Sequence, residues 1–159
     1  MNNPLVTIFM AVYNVENFIK DSLESILNQT YKNFEFLIVN DASTDHSSEI
    51  LQLYEKKDKR IRVIHNKHNM GIPYTRNIGL KEANGKYIAI MDADDIALPF
   101  RIEKQVLFME NNPEIDVLGT DYEVIGGKIK RTVRNKCIAP EELKIKFLFN
   151  CAVSEGVKS

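Results

Sequence analysis

The chain is poor in cysteine, nearly balanced in charge and free of long apolar runs, and each shortage removes a class of protein. Cys137 and Cys151 are the only cysteines in 159 residues. That is too few for a disulfide scaffold or a thiolate metal site, so a reducing compartment is expected. A formal net charge of -1 leaves no electrostatic footprint for nucleic acid or an anionic lipid surface. The basic clusters Lys56-Lys57-Asp58-Lys59-Arg60 and Lys128-Ile129-Lys130-Arg131 read as solvated helix-end or hairpin surface. No apolar run approaches the ~18–20 residues of a membrane span. The N-terminus lacks the basic start and cleavage site of a signal peptide. Several catalytic signatures are missing as well. No Gly-x-Gly-x-x-Gly follows the first apolar run and no Gly-x-x-x-x-Gly-Lys-Ser/Thr occurs, which disfavours a dinucleotide fingerprint and a P-loop. His46, His65 and His68 have no nearby cysteines and no His-Glu-x-x-His pattern, so they read as surface residues rather than zinc ligands. No Gly-x-Ser-x-Gly elbow presents a nucleophilic serine. Internal repeats and low-complexity segments are absent too.

What is present reads as one globular domain with a real core, since 44% of residues are hydrophobic and 27% charged. Leu5 to Val12 is a continuous apolar run, as expected of a strand buried on both faces. Asn14 offers an N-cap to a helix with Val15, Phe18, Ile19, Leu23, Ile26 and Leu27 on one stripe. Phe34 to Val39 is a second buried strand. Asn40 to Asp45 is a polar turn able to cap a helix carrying Ile50, Leu51 and Tyr54. Ile61 to Ile64 is a third strand, and a helix from Pro73 to Ala83 stops at Asn84-Gly85. Tyr87 to Met91 is a fourth strand, expected to be buried. Pro99 opens a helix whose inner residues are Ile102, Val106, Leu107 and Met109. Ile115 to Ile125 and Ile129 to Val133, split by Gly126-Gly127, form a hairpin, and Pro140 starts a last helix with Leu143, Ile145, Phe147 and Leu148. Strands alternating with helices predict an α/β fold: a Rossmann-like, doubly wound, mostly parallel sheet with a C-terminal hairpin and helix.

In such folds ligands bind outside the carboxyl ends of the strands. Three of those ends carry unusual chemistry. The fourth strand ends in Asp92-Ala93-Asp94-Asp95, three carboxylates within four residues and no cation among them. Alternate side chains of a strand share a face, so Asp92 and Asp94 point at one ion while Ala93 points away. Hard cations such as Mg²⁺ and Mn²⁺ take such oxygen ligands together with substrate phosphates. Ordinary turn acids capping a strand end are the plain alternative. Asp41, leaving the second strand, is either an acceptor for a ring N–H of a nucleobase or a helix-capping acid; Asp45 fits the capping role better. Tyr13 either stacks on a base or closes the core. Arg76, about one turn into the third helix, either clamps a diphosphate or pairs with one of the aspartates, and both can hold. Gly71 and Gly79 read as a tight turn and a close helix–sheet contact.

Four stretches together resemble the family 2 inverting glycosyltransferases of the A-type fold, from about Pro4 to Phe149. They are Val6 to Asn14, Asn40 to Asp45, Asn69-Met70-Gly71 with Arg76 to Gly79, and Gly85 to Asp95. The resemblance implies a nucleotide-diphospho-sugar donor domain over residues 4–149. In it Ala11, Val12, Tyr13 and Asp41 hold base and ribose, Arg76 lies near the nucleotide, and Asp92-Ala93-Asp94 form the Asp-x-Asp element. Asp94, Asp92 and Asp95 are its candidate ligands for Mn²⁺ or Mg²⁺. It further implies a UDP-sugar donor, a saccharide or lipid-linked acceptor, and a role in polysaccharide or glycolipid synthesis. A cytoplasmic location is expected, with attachment to the inner face of a membrane, or a homodimer, left open. Asn40 and Ala42 stand where many members carry Asp and Gly. The sequence from Asn150 to Ser159 lacks the apolar strand expected next, so the general base is expected beyond Ser159, with 150–159 a tail. A binding-only fragment and a nucleotidyltransferase are the alternatives, and Ala11 to Asn14 offers the latter no phosphate loop.

Overall fold

The computed structural model of the chain describes residues 3–125 and 131–133. The chain divides into two compact units, Met1–Asn112 and Pro113–Ser159. The first is built on β1 (Val6–Val12), β2 (Phe34–Asn40), β3 (Ile61–His65) and β4 (Tyr87–Asp92). The four strands pair in parallel in the order β3-β2-β1-β4. From β1 the chain moves outward to β2 and β3, then returns to the other side of β1 for β4. The order therefore reverses between β1 and β4, and this crevice is where the parallel-sheet rule puts a ligand. In register, Ala11 stands opposite both Val39 and Asp92, and Val12 opposite Asn40.

Alternation along the strands sends residues to two faces. Val6, Ile8, Met10 and Val12 join Phe34, Phe36 and Ile38 in the larger core. Against it pack α1 (Ile19–Leu27), α2 (Ser47–Lys57) and α4 (Arg101–Asn111) through Ile19, Leu23, Ile26, Leu51, Ile102 and Val106. The other face carries a smaller cluster of Phe9, Leu37 and Val39, with Ala11, Ile64 and Ile78 packed on it. Helix α3 (Ile72–Glu82) covers that cluster. It lies close because Gly79 has no Cβ: one built there would sit 2.2–2.7 Å from three ring atoms of Phe9. The close contact expected at Gly79 is thus observed.

At the amino-terminal end of the sheet a polar latch joins three elements. The Thr7 hydroxyl donates to Glu35 and accepts from the Gly85 N–H, while the Asn84 N–H and side chain donate to Glu35. Burial pushes the Glu35 carboxyl up, but these bonds and the charge of Arg62 hold it below the ordinary value.

Three expectations need correction. Asn14 does not cap α1, which starts at Ile19 after Phe18 without any side-chain cap; Phe18 faces solvent. Strand β4, expected to be buried, is shielded on one face only. Among the described residues it lies at the edge of the sheet, and Ile88 and Ile90 are exposed because they stand on the face that carries α3, which packs on β1 and β2 instead. Leu107, expected inside, lies on the exposed side of α4, where Ile102 and Val106 alone are buried.

In the second unit, β5 (Tyr122–Val124) and β6 (Arg131–Val133) pair antiparallel, Tyr122 opposite Val133. The expected hairpin is present, but its first arm is strand only where a partner stands opposite. The helix expected from Pro140, and residues 150–159, lie outside the described residues. Among the described residues no helix is long and apolar enough to cross a membrane.

Candidate functional site

The loops after β1 and β2 are fastened to each other by side chains rather than by strand pairing. Asn14 adopts a left-handed backbone, φ 51°, which Asn tolerates better than most residues. Its Oδ1 accepts from the Thr44 N–H at 2.8 Å and also from the Thr44 hydroxyl and Asp45 N–H. In return the Ser43 and Ser47 hydroxyls accept from the N–H groups of Asn14 and Val15. Asp45 accepts from the N–H of Glu16 and of Ser47, the first residue of α2, each at 3.0 Å. The capping role expected of Asp45 is observed. Burial raises its carboxyl, and the bonds from Ser47 and Glu16 more than reverse this. The result is a rigid double loop that presents Tyr13, 46% exposed, to solvent. Tyr13 therefore does not close the core.

Ala42 is also left-handed, φ 58°, and a Cβ there costs about 1–2 kcal/mol. Part of that is offset by the entropy a glycine loses on folding. Ala42→Gly is therefore expected to stabilise the chain by about 0.5–1 kcal/mol, read as a higher urea midpoint with an unchanged slope.

Asp41 is 4% exposed. Its Oδ1 accepts from Asn66 Nδ2 at 2.6 Å and from the Met70 N–H at 2.9 Å, and its Oδ2 from the Gly71 N–H at 2.8 Å. Burial works against the charge, but Asn66, Met70, Gly71 and Thr75 together hold the carboxyl below its usual range. Asp41 does not cap the helix that follows it, α2; it ties residues 66–71 down just before α3. Gly71, left-handed at φ 82°, makes the turn into that helix.

The third strand end completes the edge. Asp92 closes β4 on the face covered by α3, and Arg76 of that helix reaches it, Nη2 to Oδ1 at 3.9 Å. Ala93 is buried and Asp94 and Asp95 are exposed. Partial desolvation, then the charges of Asp92 and Asp94, raise the Asp95 carboxyl, while Arg101 pulls the other way. The turn is stapled to α1. The Ser22 hydroxyl donates to the Asp92 carbonyl, the Ser25 hydroxyl accepts from the Ala97 N–H, and the Thr30 N–H bonds to the Pro99 carbonyl. Gln29, fully buried, donates to the Leu98 carbonyl at 2.8 Å and accepts from the Ile102 N–H at 3.1 Å.

The structure thus gathers Ala11, Val12, Tyr13, Asp41, Arg76, Asp92, Ala93, Asp94 and Asp95 at one edge of the sheet. Among the described residues no three His, Cys, Asp or Glu side chains form a ready-made metal cage. The donor set instead suits an ion that uses one or two carboxylates and takes its remaining ligands from a diphosphate. Three carboxylates within four residues gather negative charge that such an ion would relieve.

Residues 7–152 match the sequence pattern described as Glycosyl transferase family 2. The chain belongs to that family. An uncharacterized glycosyltransferase of Methanocaldococcus jannaschii is 52% identical over 120 residues, covering 74% of this chain and 41% of that protein. Among solved structures, S. aureus TarS in complex with UDP-GlcNAc superposes with a TM-score of 0.64 at 28% identity. The match covers 68% of this family 2 chain and 32% of that one. A mannosyltransferase of Pyrobaculum calidifontis in complex with GDP-Man and Mn²⁺ gives a TM-score of 0.56 at 25% identity, covering 60% and 29%. This family 2 chain thus spans well under two thirds of the length of the curated relatives it matches. The α/β fold expected from the sequence is that of these nucleotide-sugar transferases.

Three residues of the site were not singled out by sequence: Asn66, Gln29 and Arg101. Asn66 lies just past β3, where its role depends on a carboxylate 25 positions away. Gln29 sits at the end of a helical stripe and looks like surface. Arg101 follows Pro99 at a helix start, and a cation so soon after three carboxylates was the available signal.

Proposed function

We propose that this chain is the donor-binding part of a metal-dependent inverting glycosyltransferase that takes a UDP-sugar. The supporting observation is the in-register pairing of Ala11 with Asp92 at the point where the strand order reverses, with Arg76 on Asp92. In this reading Tyr13 stacks on the base above Ala11 and Val12, and Asp41 fixes residues 66–71 as the base-side wall. Asp92 and Ala93 meet the ribose and diphosphate, and Arg76 adds positive charge there. One or two of Asp94, Asp92 and Asp95 would hold Mn²⁺ or Mg²⁺, which when bound stabilises negative charge on the leaving diphosphate as a Lewis acid. An acceptor hydroxyl attacks the anomeric carbon from the face opposite the diphosphate. The new C–O bond forms as the bond to the diphosphate oxygen breaks, and the hydroxyl proton passes to a general base. A saccharide or lipid-linked hydroxyl is the acceptor class, in surface polysaccharide or glycolipid assembly. The UDP-GlcNAc complex of TarS and the GDP-Man and Mn²⁺ complex of the mannosyltransferase support the donor and metal classes.

Thermal unfolding with UDP, GDP, CDP and dTDP, each with and without Mn²⁺, tests this. UDP at a hundredfold excess over its dissociation constant should add about 2.7 kcal/mol. The shift should require Mn²⁺ and vanish in Asp94→Asn. A chain indifferent to all four diphosphates would refute the proposal.

A further inference from the structure

We propose that Arg101 is a positioning residue that sets where the Asp92, Asp94 and Asp95 carboxylates stand. From the first turn of α4 its Nη2 donates to the Ile90 carbonyl at 2.8 Å, and its Nη1 lies 3.1 Å from the Met91 sulfur. One guanidinium thus grips β4 at the two residues immediately before Asp92. This strand needs such a grip. Among the described residues β4 is paired on one side only, with β1, and Ile88 and Ile90 are exposed on the face that carries α3. A strand end of that kind frays unless something satisfies its backbone.

The other end of the lever is equally well fixed. The Arg101 N–H bonds to the Leu98 carbonyl, and that carbonyl and the next N–H, of Ile102, are both held by the buried amide of Gln29. Gln29, two residues past the end of α1, therefore anchors the start of α4, and Arg101 carries that anchorage back to β4. The guanidinium charge also acts on Asp95 and Asp92. Arg76 approaches Asp92 from α3, on the opposite face of the sheet from α4. The acidic turn is bracketed by two arginines, one at the Asp92 carboxylate and one at the backbone behind it. A planar fork with donors on separate nitrogens suits two acceptors at once; a lysine ammonium would keep the charge and lose one arm.

The ordering role concerns the ligand-free chain, while its effect on ion binding rests on the function proposed above, so the experiment has two arms. In the first, amide hydrogen exchange is measured without ligand in the wild-type chain, Arg101→Lys and Arg101→Gln. Exchange at 92–95 should quicken about tenfold in Arg101→Gln and less in Arg101→Lys, with the central β2 amides unchanged. Unchanged exchange at 92–95, or an equal increase in β2, overturns the positioning role. In the second arm, UDP affinity is measured with and without Mn²⁺. The Mn²⁺-dependent gain should fall about tenfold or more in Arg101→Gln, with partial rescue by lysine. A wild-type chain that fails to bind UDP counts against the proposed function alone. A wild-type chain that binds, beside an Arg101→Gln chain with the same Mn²⁺-dependent gain, overturns the link from Arg101 to the ion.

Discussion

Asp41→Ala should lower the stability of the chain by about 3 kcal/mol or more, a fall in Tm of roughly 10 °C. The carboxylate is buried and accepts from one side chain and two backbone N–H groups. Truncation strands those donors in a place water reaches poorly, and buried unmatched donors to a former charge are costly. Asn is not a remedy. Both carboxylate oxygens face N–H donors, so either orientation of an amide sets its NH₂ against one of them. Asp41→Asn should therefore lose most of what Asp41→Ala loses, which separates this role from one of shape alone. The pH dependence follows from the direction of the shift. The folded carboxyl lies below its unfolded value of about 3.9. Its contribution is complete above that value and disappears as pH falls through the folded pKa. Urea unfolding between pH 7 and pH 3 should show the wild-type chain losing stability on acidification, and the difference between wild type and Asp41→Ala should narrow toward acid. A constant difference across that range would assign the loss to packing instead.

Gly79→Ala is the second large effect, and it runs against helix propensity. In an exposed helix the change would gain about 1 kcal/mol. Here the new methyl would lie 2.2–2.7 Å from three Phe9 ring atoms, and the ring is 2% exposed among Leu37 and Val39. With the ring packed on those neighbours, the clash is expected to lift α3 from the sheet. Overpacking typically costs 1–3 kcal/mol, and a net loss of up to about 2 kcal/mol is expected once propensity is subtracted. Since α3 carries Arg76, Mn²⁺-dependent nucleotide binding should weaken with it. Phe9→Leu in the same chain should restore part of the stability, because the two changes act on one contact. Strictly additive effects, measured by chemical denaturation, would show that Gly79 is not limited by Phe9.

Strands β1 and β2 were legible because both of their faces are covered, which writes a nearly unbroken apolar run. The alternation of strands with helices then implied that Tyr13 and Asn14 after β1 and the acids after β2 and β4 share one edge. Less visible was anything that depends on a partner far along the chain. Asn14 looks like a helix cap because it precedes an amphipathic stripe; only the β2 loop beside it reveals three better donors. The run from Tyr87 to Met91 reads as interior, and its apolar side chains do not say that α3 leaves Ile88 and Ile90 open. Gln29 was hidden for a different reason: a buried amide is distinguished from a surface one by its neighbours, not by its own spacing.

The parallel pairing of β1 with β4 has a consequence for how the protein comes into being. Ala11 and Asp92 face each other across one register position, yet the chain between them contains β2, β3 and all three helices α1, α2 and α3. Such non-local pairing closes late, after the loop entropy of nearly the whole unit has been overcome. Base-side and phosphate-side halves of the edge therefore cannot exist in an early intermediate. During synthesis no emerging polypeptide shorter than about Asp95 should retain nucleotide, and ligand capture would report completed folding rather than guide it.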